Sequence, residues 1–368
     1  MLVNSKYPSL VDISARAGVV PGRIIEQAGQ MNPMLEDGPA MPCNRGVSHE
    51  TTVRTGLQRG IWGMLYQGIP EEKSEVQSFR HTPGYLEGAI QIDRKVVDEV
   101  ENNPAFASMT GEARTNAIGM ERMRIMQDEL SAYSQGLSIQ AAEALLYGNQ
   151  KTNPKGITGF MPFFNDSTAQ NGSQIVDGGG RDTADNTSLL LVTWHESTCH
   201  FIYPAGGKQR AGFTAKPVES THAYEDAARQ VRYNTYRQEV RWDLGLTPVD
   251  WRYIVRIANI DVSNMLKNGR EEDPSADAAA PAANLIQLMD SAYYRHFARR
   301  VNVGKTCWYG GTTMIEYLDY QARNTPKNLW LSFQQTGVNA DEVLMHRKRP
   351  IKESDAFLHT EEAVSFAA

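Results

Sequence analysis

The stretch from Gly111 to Tyr147 constrains the fold of this chain more than any other. Read at helical spacing, Met120, Met123, Met126, Leu130, Tyr133, Leu137, Ala141 and Ala144 recur every three or four residues and line one apolar stripe. Glu121, Arg124, Asp128 and Gln135 take the opposite face. Pro104 and Glu112 stand near the start, and Gly148 follows where a left-handed residue would close the helix. At about 1.5 Å per residue an unbroken helix here reaches roughly 55 Å, longer than one compact domain needs, with Gly136 the natural place for a kink. A helix of that length with a single stripe must be covered by sheet or by neighbouring subunits. It reads as a spine.

The 368 residues suffice for one large domain or two ordinary ones, with a substantial core. Apolar residues at 41% and charged residues at 22% are ordinary for a globular protein. A net charge of −6 and a pI near 5.8 give no global basic field of the kind that marks nucleic-acid binding. No run approaches ~18 consecutive apolar residues, so no transmembrane helix is expected. Met1 to Leu10 holds one lysine and no apolar segment of signal-peptide length, which predicts cytoplasmic synthesis. Cys43, Cys199 and Cys307 lie too far apart for a disulfide framework or a close-spaced zinc pattern.

Before the spine, Met1 to Gly46 is poorly periodic and rich in Pro and Gly, with one short helical candidate at Arg23 to Ala28. It reads as an extended arm. From Val47 to Ile92 the signal is β. Thr51, Val53 and Thr55 alternate, glycines at 56, 60, 63 and 68 punctuate an apolar run, and the chain returns through Val76, Phe79, Leu86, Ile90 and Ile92. Two long strands joined by a loop follow from this, with too few apolar positions for a core of their own. Such a ribbon is marginal in water and should lie on something.

Lys95 to Asn103 is a helical lead into the spine, and Asn153 to Phe160 is a turn-rich exit from it. A Gly-rich loop over 165–186 precedes Ser188 to Trp194, a continuous apolar run expected for a buried strand, and a second loop spans Gly206 to Ala223. Val231, Tyr233 and Thr235 open the next strand. Beyond Gly245-Leu246-Thr247-Pro248, the residues Trp251, Tyr253, Val255 and Ile257 alternate with Arg252 and Arg256, which predicts one buried and one wet face. Glu271 to Ala280 is acidic and Ala-rich. Pro281 is placed to open a helix with Leu285, Leu288, Met289 and Ala292 on one face and Arg299 and Arg300 at its end. Thr312 can cap another helix, carrying Ile315 and Leu318, and Val343 to Val364 is strand-like.

Chemistry is sparse. His195-Glu196-Ser197-Thr198-Cys199-His200 approaches a zinc-protease motif, but that chemistry needs two histidines four apart on a helix, and Cys199 stands at the second position. In a strand, His195 and Cys199 would share a face and His200 would point away. A structural role is expected. Gly304-Lys305-Thr306 ends like a phosphate-binding loop, yet Arg299 stands where its first glycine belongs; Gly206-Gly207-Lys208 fails likewise at Ile202. Gly178-Gly179-Gly180 lacks dinucleotide spacing and reads as a flexible loop. The basic run Arg347-Lys348-Arg349 reads as a solvated strand end, and the methionines of the spine as core. No catalytic, cofactor-binding or metal-binding residue is assigned.

Arm, glycine-punctuated ribbon, long spine, mixed α and β, and a closing strand, in that order, resemble the major capsid proteins of tailed bacteriophages with the Hong Kong 97-type shell fold. Pro154-Lys155-Gly156-Ile157-Thr158-Gly159 is similar to the family's exit from its spine. The run from Asp243-Leu244-Gly245-Leu246-Thr247-Pro248 through Trp251-Arg252-Tyr253 to Ala258-Asn259-Ile260 resembles head proteins of short-tailed phages, and Arg349-Pro350-Ile351 to Asp355-Ala356 the family's last strand.

The resemblance implies an α+β fold. Residues 1–46 would be an N-terminal arm, 47–92 an extended loop over a neighbouring subunit, and 93–155 a peripheral domain around the spine 111–147. Residues 156–340 would be mainly an axial domain with strands returning to the peripheral one, and 341–368 a C-terminal peripheral strand. It implies a virion protein assembled in the host cytoplasm as hexamers and pentamers around double-stranded DNA touched without sequence preference. Portal and cement proteins would be further partners, and Met1 to Gly46 is too short for a fused scaffolding domain, implying a separate scaffolding protein. Lys73 lies where one such phage places a cross-linking lysine, without a matching partner motif here. The alternatives are an encapsulin-like nanocompartment shell and, further off, a metal-dependent enzyme around His195 and His200.

Overall fold

The spine forms as one α-helix over Gly111–Tyr147. The structure, a computed structural model, describes residues 32–58, 60–64, 68, 71–102, 106, 108–180, 185–205, 212–226, 231–268, 283–324, 331–335 and 342–366. The helical candidate at Arg23 to Ala28 and the acidic stretch Glu271 to Ala280 lie outside them, as does Gly206-Gly207-Lys208. The covered face of the spine differs from the stripe expected. Ile118, Ile125, Met126, Leu137, Ala141 and Leu145 are buried, whereas Met120 and Met123 are exposed. Steps of three residues turn a helix by about 300°, so Met123 and Met120 rotate progressively off the face that Met126 begins. Nor is Gly148 a left-handed cap, since only Gly46, Gly111 and Gly179 have positive φ among the described glycines. Its N–H donates to the Ala144 carbonyl at 2.9 Å and its carbonyl accepts from Gly159 N–H at 2.8 Å. A side chain there would meet the carbonyls of Ala144 and Ile157. Glycine lets the exit cross back over the last turn.

Strands are numbered in chain order. β1 is Ala40–Pro42, and β2, His49–Gly56, pairs antiparallel with β3, Glu75–His81, as a two-stranded ribbon. The chain then separates into two units. The first takes its described residues from Tyr85–Gln140 and Gly212–Asp243. In it β4, Gly84–Asp93, joins β8 (Gly212–Ala215), β9 (Glu219–Asp226) and β10 (Val231–Leu244) in one sheet, with β10 in contact with each of the others. Ile90 and Ile92 from β4, Val97 and Val100 from the helical lead, Ile125, Met126 and Leu137 from the spine and Val240 from β10 form its core. The loop expected over Gly206 to Ala223 therefore contains two strands. Their sequences carry no apolar alternation, and their stability comes from the ladder to β10.

The second unit gathers Gln30–Gly84, Ala141–Ala211 and Leu244–Ala368. Its main sheet has seven strands in the order β14-β15-β16-β13-β6-β12-β5. These are β5 Ile175–Asp177, β6 Asn186–Trp194, β12 Ile254–Asp261, β13 Lys305–Gly310, β14 Leu331–Gln335, β15 Glu342–His346 and β16 Arg349–Glu353. A smaller sheet pairs β7, Cys199–Tyr203, with β1 and with β11, Leu246–Pro248. Every residue of β6 is buried, as its apolar run predicts. Helices Leu285–Arg295 and Thr312–Asn324 contribute Leu285, Met289, Met314 and Leu318 to the core beside Leu191, Val255, Ile257 and Trp308.

Several local expectations are corrected here. Trp251–Tyr253 is a 3-10 turn capped by Asp250, and β12 behind it is buried on both faces, Arg256 included. Gly178 to Gly180 hugs β12, with Gly178 N–H on the Ala258 carbonyl at 2.7 Å and Gly180 N–H on that of Asn259 at 2.8 Å. Asn284 opens the first of the two helices by accepting from Gln287 N–H at 3.1 Å, and Pro281 lies outside the described residues. That helix ends at Arg295, so Arg299 and Arg300 fall beyond it, in and after a 3-10 turn at Phe297–Arg299. Thr312 turns its hydroxyl to Glu353 at 2.5 Å instead of capping its own helix. Arg347 and Lys348 form the two-residue turn between β15 and β16, with φ of 49° and 63°. Arg347 bonds Asp290 at 2.8 Å and stacks on Tyr293, so the basic run is a packed hairpin turn.

Candidate functional site

The ribbon β2–β3 is the first surface that stands out. Six of the seven residues of β3 are exposed, on both faces of the strand. Between the strands, the described part of the connecting segment exposes Leu57, Ile61, Trp62 and Met64, and Lys73 lies exposed beyond them. A segment this apolar left in water marks an interaction site.

At the root of the ribbon, His49 and His81 face each other across the ladder. The ring of His200, on β7, meets that of His49 edge-on at 5.3 Å, and His81 packs against Phe163 at 5.7 Å. Nδ1 of His49 and Nε2 of His81 are buried without hydrogen-bond partners. Burial, and then the neighbouring His49, push His81 down to about 4. Burial and the same neighbour also push His200 to about 4, against a bond from the Glu196 backbone. Burial lowers His49 as well. The three imidazoles are held neutral at pH 7.

The zinc-like string is a turn, not a strand. β6 ends at Trp194, His195 bridges to Cys199, and β7 begins there. His195 is exposed, with Nδ1 at 2.9 Å from the Ser197 hydroxyl, while Cys199 is buried and burial pushes its thiol up. His195 thus sits at a hairpin end and His200 inside. Among the described residues no group of three or more His, Cys, Asp or Glu is placed to hold a metal ion. Gly304-Lys305-Thr306 leads into β13, where Lys305 bonds Asp37 at 2.6 Å and Thr306 bonds Thr193 at 2.8 Å. Asp37 also receives Lys352 at 2.6 Å and the Tyr309 hydroxyl.

The third site is a buried ion pair. Nη2 of Arg256, from β12, lies 2.8 Å from Oε2 of Glu361, its Nε donates to the Ser188 hydroxyl at 3.0 Å, and Nη1 to the Phe164 carbonyl at 2.8 Å. Tyr147 donates to Glu361 Oε1 at 2.6 Å and accepts from Leu358 N–H at 2.8 Å. A cleft of about 460 Å³ adjoins the group. A charged residue inside the apolar run Ile254–Ile260 was the sequence signal for this site; no local pattern points to its partner. The three histidines of the ribbon root carry no spacing signal at all.

A long spine and a coreless ribbon with an apolar tip define a subunit made to be joined to others. The family model of the major capsid protein GP7 matches residues 17–365, and the chain belongs to that family. A chain of the solved structure of bacteriophage Epsilon15 aligns at 26% identity over 99% of each chain with a TM-score of 0.67. The bacteriophage JBD30 capsid aligns at 9% identity over 93% of this chain and 98% of that one, TM-score 0.41. The SrpI encapsulin of Synechococcus elongatus aligns at 8% over 67% and 95%, TM-score 0.38. No curated protein matches. The protein is a structural capsid protein of the Hong Kong 97-like α+β fold, many copies of which build a phage shell, and its place is the virion. No helix among the described residues is long and apolar enough to cross a membrane.

Proposed function

We propose that this chain forms the hexamers and pentamers of an icosahedral head around double-stranded DNA, without catalysis, metal or cofactor. Residues 1–46 act as an arm, 47–92 as the extended loop over a neighbouring subunit, 93–155 with 341–368 as the peripheral domain, and 156–340 mainly as the axial domain. The pairing of β8 to β10 with β4 supports strands returning to the spine. A separate scaffolding protein, a portal and a cement protein are its partners in assembly, and DNA is touched without sequence preference.

The observation that carries this reading is the ribbon, whose apolar tip stays in water in the single chain. Tip and body are different surfaces, so the contact is head-to-tail and closes rings. Negative-stain electron microscopy of the chain expressed alone and with its scaffolding partner tests it. Closed shells or uniform rings are expected; a monomer or dimer under both conditions would overturn it. Deleting 56–76 should leave a folded, soluble subunit that makes no shells. Stoichiometric zinc that disappears in His195→Ala would refute the absence of a metal.

A further inference from the structure

An apolar groove of about 240 Å³ opens beside the ribbon root, walled by Val53, Phe79, Phe163, Phe164, Pro248 and Trp251. His81 brings a titratable ring to its lining, and Gln170 and Asn171 lie at its rim. Four aromatic rings in one groove offer edge-to-face partners to a further ring. At the other end of the same ribbon Trp62 is 99% exposed, flanked by exposed Leu57, Ile61 and Met64. One structure thus carries an apolar knob and an apolar hole.

Resting on the shell reading above, we infer that the ribbon tip of one copy docks in this groove on a second copy, with Trp62 as the buried anchor. The occupant is a second copy because the chain belongs to a shell-building family, and because its own chain leaves Trp62 in water. Eight residues of β2 at about 3.3 Å each carry the tip roughly 27 Å from the strand's start, a distance on the scale of one domain. Knob and hole are distinct surfaces of the subunit, which makes the contact heterologous: each copy gives a tip and receives one, and the chain of contacts closes as a ring. An indole set among aromatic walls and excluded from water is the usual composition of an interface hot spot.

The test uses whole shells. Trp62→Cys paired with Asn171→Cys should give chain-to-chain disulfides when assembled particles are oxidised, and none in unassembled subunits; Trp62→Cys alone is the control, the native cysteines being buried. Trp62→Ala should cut shell yield at least tenfold with an unchanged melting temperature, and Trp62→Phe should retain most of it. Ala169→Trp, filling the groove from its exposed rim, should block assembly to the same extent. Normal shells from Trp62→Ala, or disulfides formed within one chain, would overturn the docking while the shell reading stands. Failure of the unaltered chain to assemble would instead count against the shell reading.

Discussion

Arg256 and Glu361 form an ion pair of 2.8 Å in which each side chain is only 3% exposed. The two residues sit on the central sheet and on the chain's last segment, 105 residues further on. The carboxylate closes a network with Ser188 and Tyr147, and Asn259 fastens the same segment by accepting from Val364 N–H at 2.8 Å and donating to its carbonyl at 2.9 Å. Removing two charges from water costs several kcal/mol per ion, and only a fully bonded network offsets it. The pair therefore fixes where the C-terminal segment lies more than it adds stability.

Glu361→Ala leaves a guanidinium buried without its counter-charge. A loss of about 3–5 kcal/mol is expected, read as a lower denaturant midpoint at unchanged slope. Arg256→Met with Glu361→Leu should recover much of that loss, because no charge is left unpaired. A double variant as unstable as Glu361→Ala would show that the network is worth more than its desolvation.

Acid should weaken the fold in a defined window. His81, His200, His296 and His346 are all pushed by burial from 6.5 to about 4. Between those values the unfolded chain binds protons that the folded chain does not, so stability falls as pH drops from 6.5 towards 4 and is flat above. Each pH unit by which burial delays the protonation of one ring is worth about 1.4 kcal/mol, and the sum is on the order of several kcal/mol. His200→Phe keeps an edge-on ring against His49 and removes one of these protons. Its melting temperature should drop less between pH 7.5 and pH 5 than that of the unaltered chain; an equal drop would place the proton uptake elsewhere.

The spine was legible because 37 consecutive residues tolerate a helix and carry an apolar period. Its buried face was not, because Met120 and Met123 fit the spacing while sitting off the face that packs. β6 was legible as an unbroken apolar run. In β12 the charge of Arg256 suggested a wet face, and what makes that face dry, Glu361, cannot be inferred from neighbours in sequence. β8 and β9 are polar strands held by pairing alone, so periodicity misses them. The tip of the ribbon could be read as apolar, whereas its root joins histidines 49, 81 and 200 only through the fold.

The turn at Arg347 and Lys348 offers a gain. Both residues have positive φ, which in a side-chain-bearing residue costs about 1–2 kcal/mol, and Lys348 is exposed. Two-residue hairpin turns of this type favour glycine at the second place. Lys348→Gly should raise stability by about 1 kcal/mol, seen as a higher melting temperature, while Arg347, which bonds Asp290, should not tolerate the same change.

Asp37 closes the short helix Met34–Asp37 and is itself buried, 2% exposed, between Lys305 and Lys352. Burial alone would raise its carboxyl, but the bonds from Lys305, Lys352 and Tyr309 outweigh it and hold the group below its ordinary 3.8. A depressed carboxyl contributes stability that is complete above 3.8 and is lost as pH falls through the lower folded value. Asp37→Asn should therefore destabilise the chain at pH 7 by about 1–3 kcal/mol and speed proteolysis around 34–37, since that helix is held to β13 and β16 through this one side chain. The difference between Asp37→Asn and the unaltered chain should persist through the window from pH 6.5 to about 4 in which the histidines act, and shrink only in stronger acid. A difference that vanished already at about pH 5 would show that the lysines do not hold Asp37 ionised.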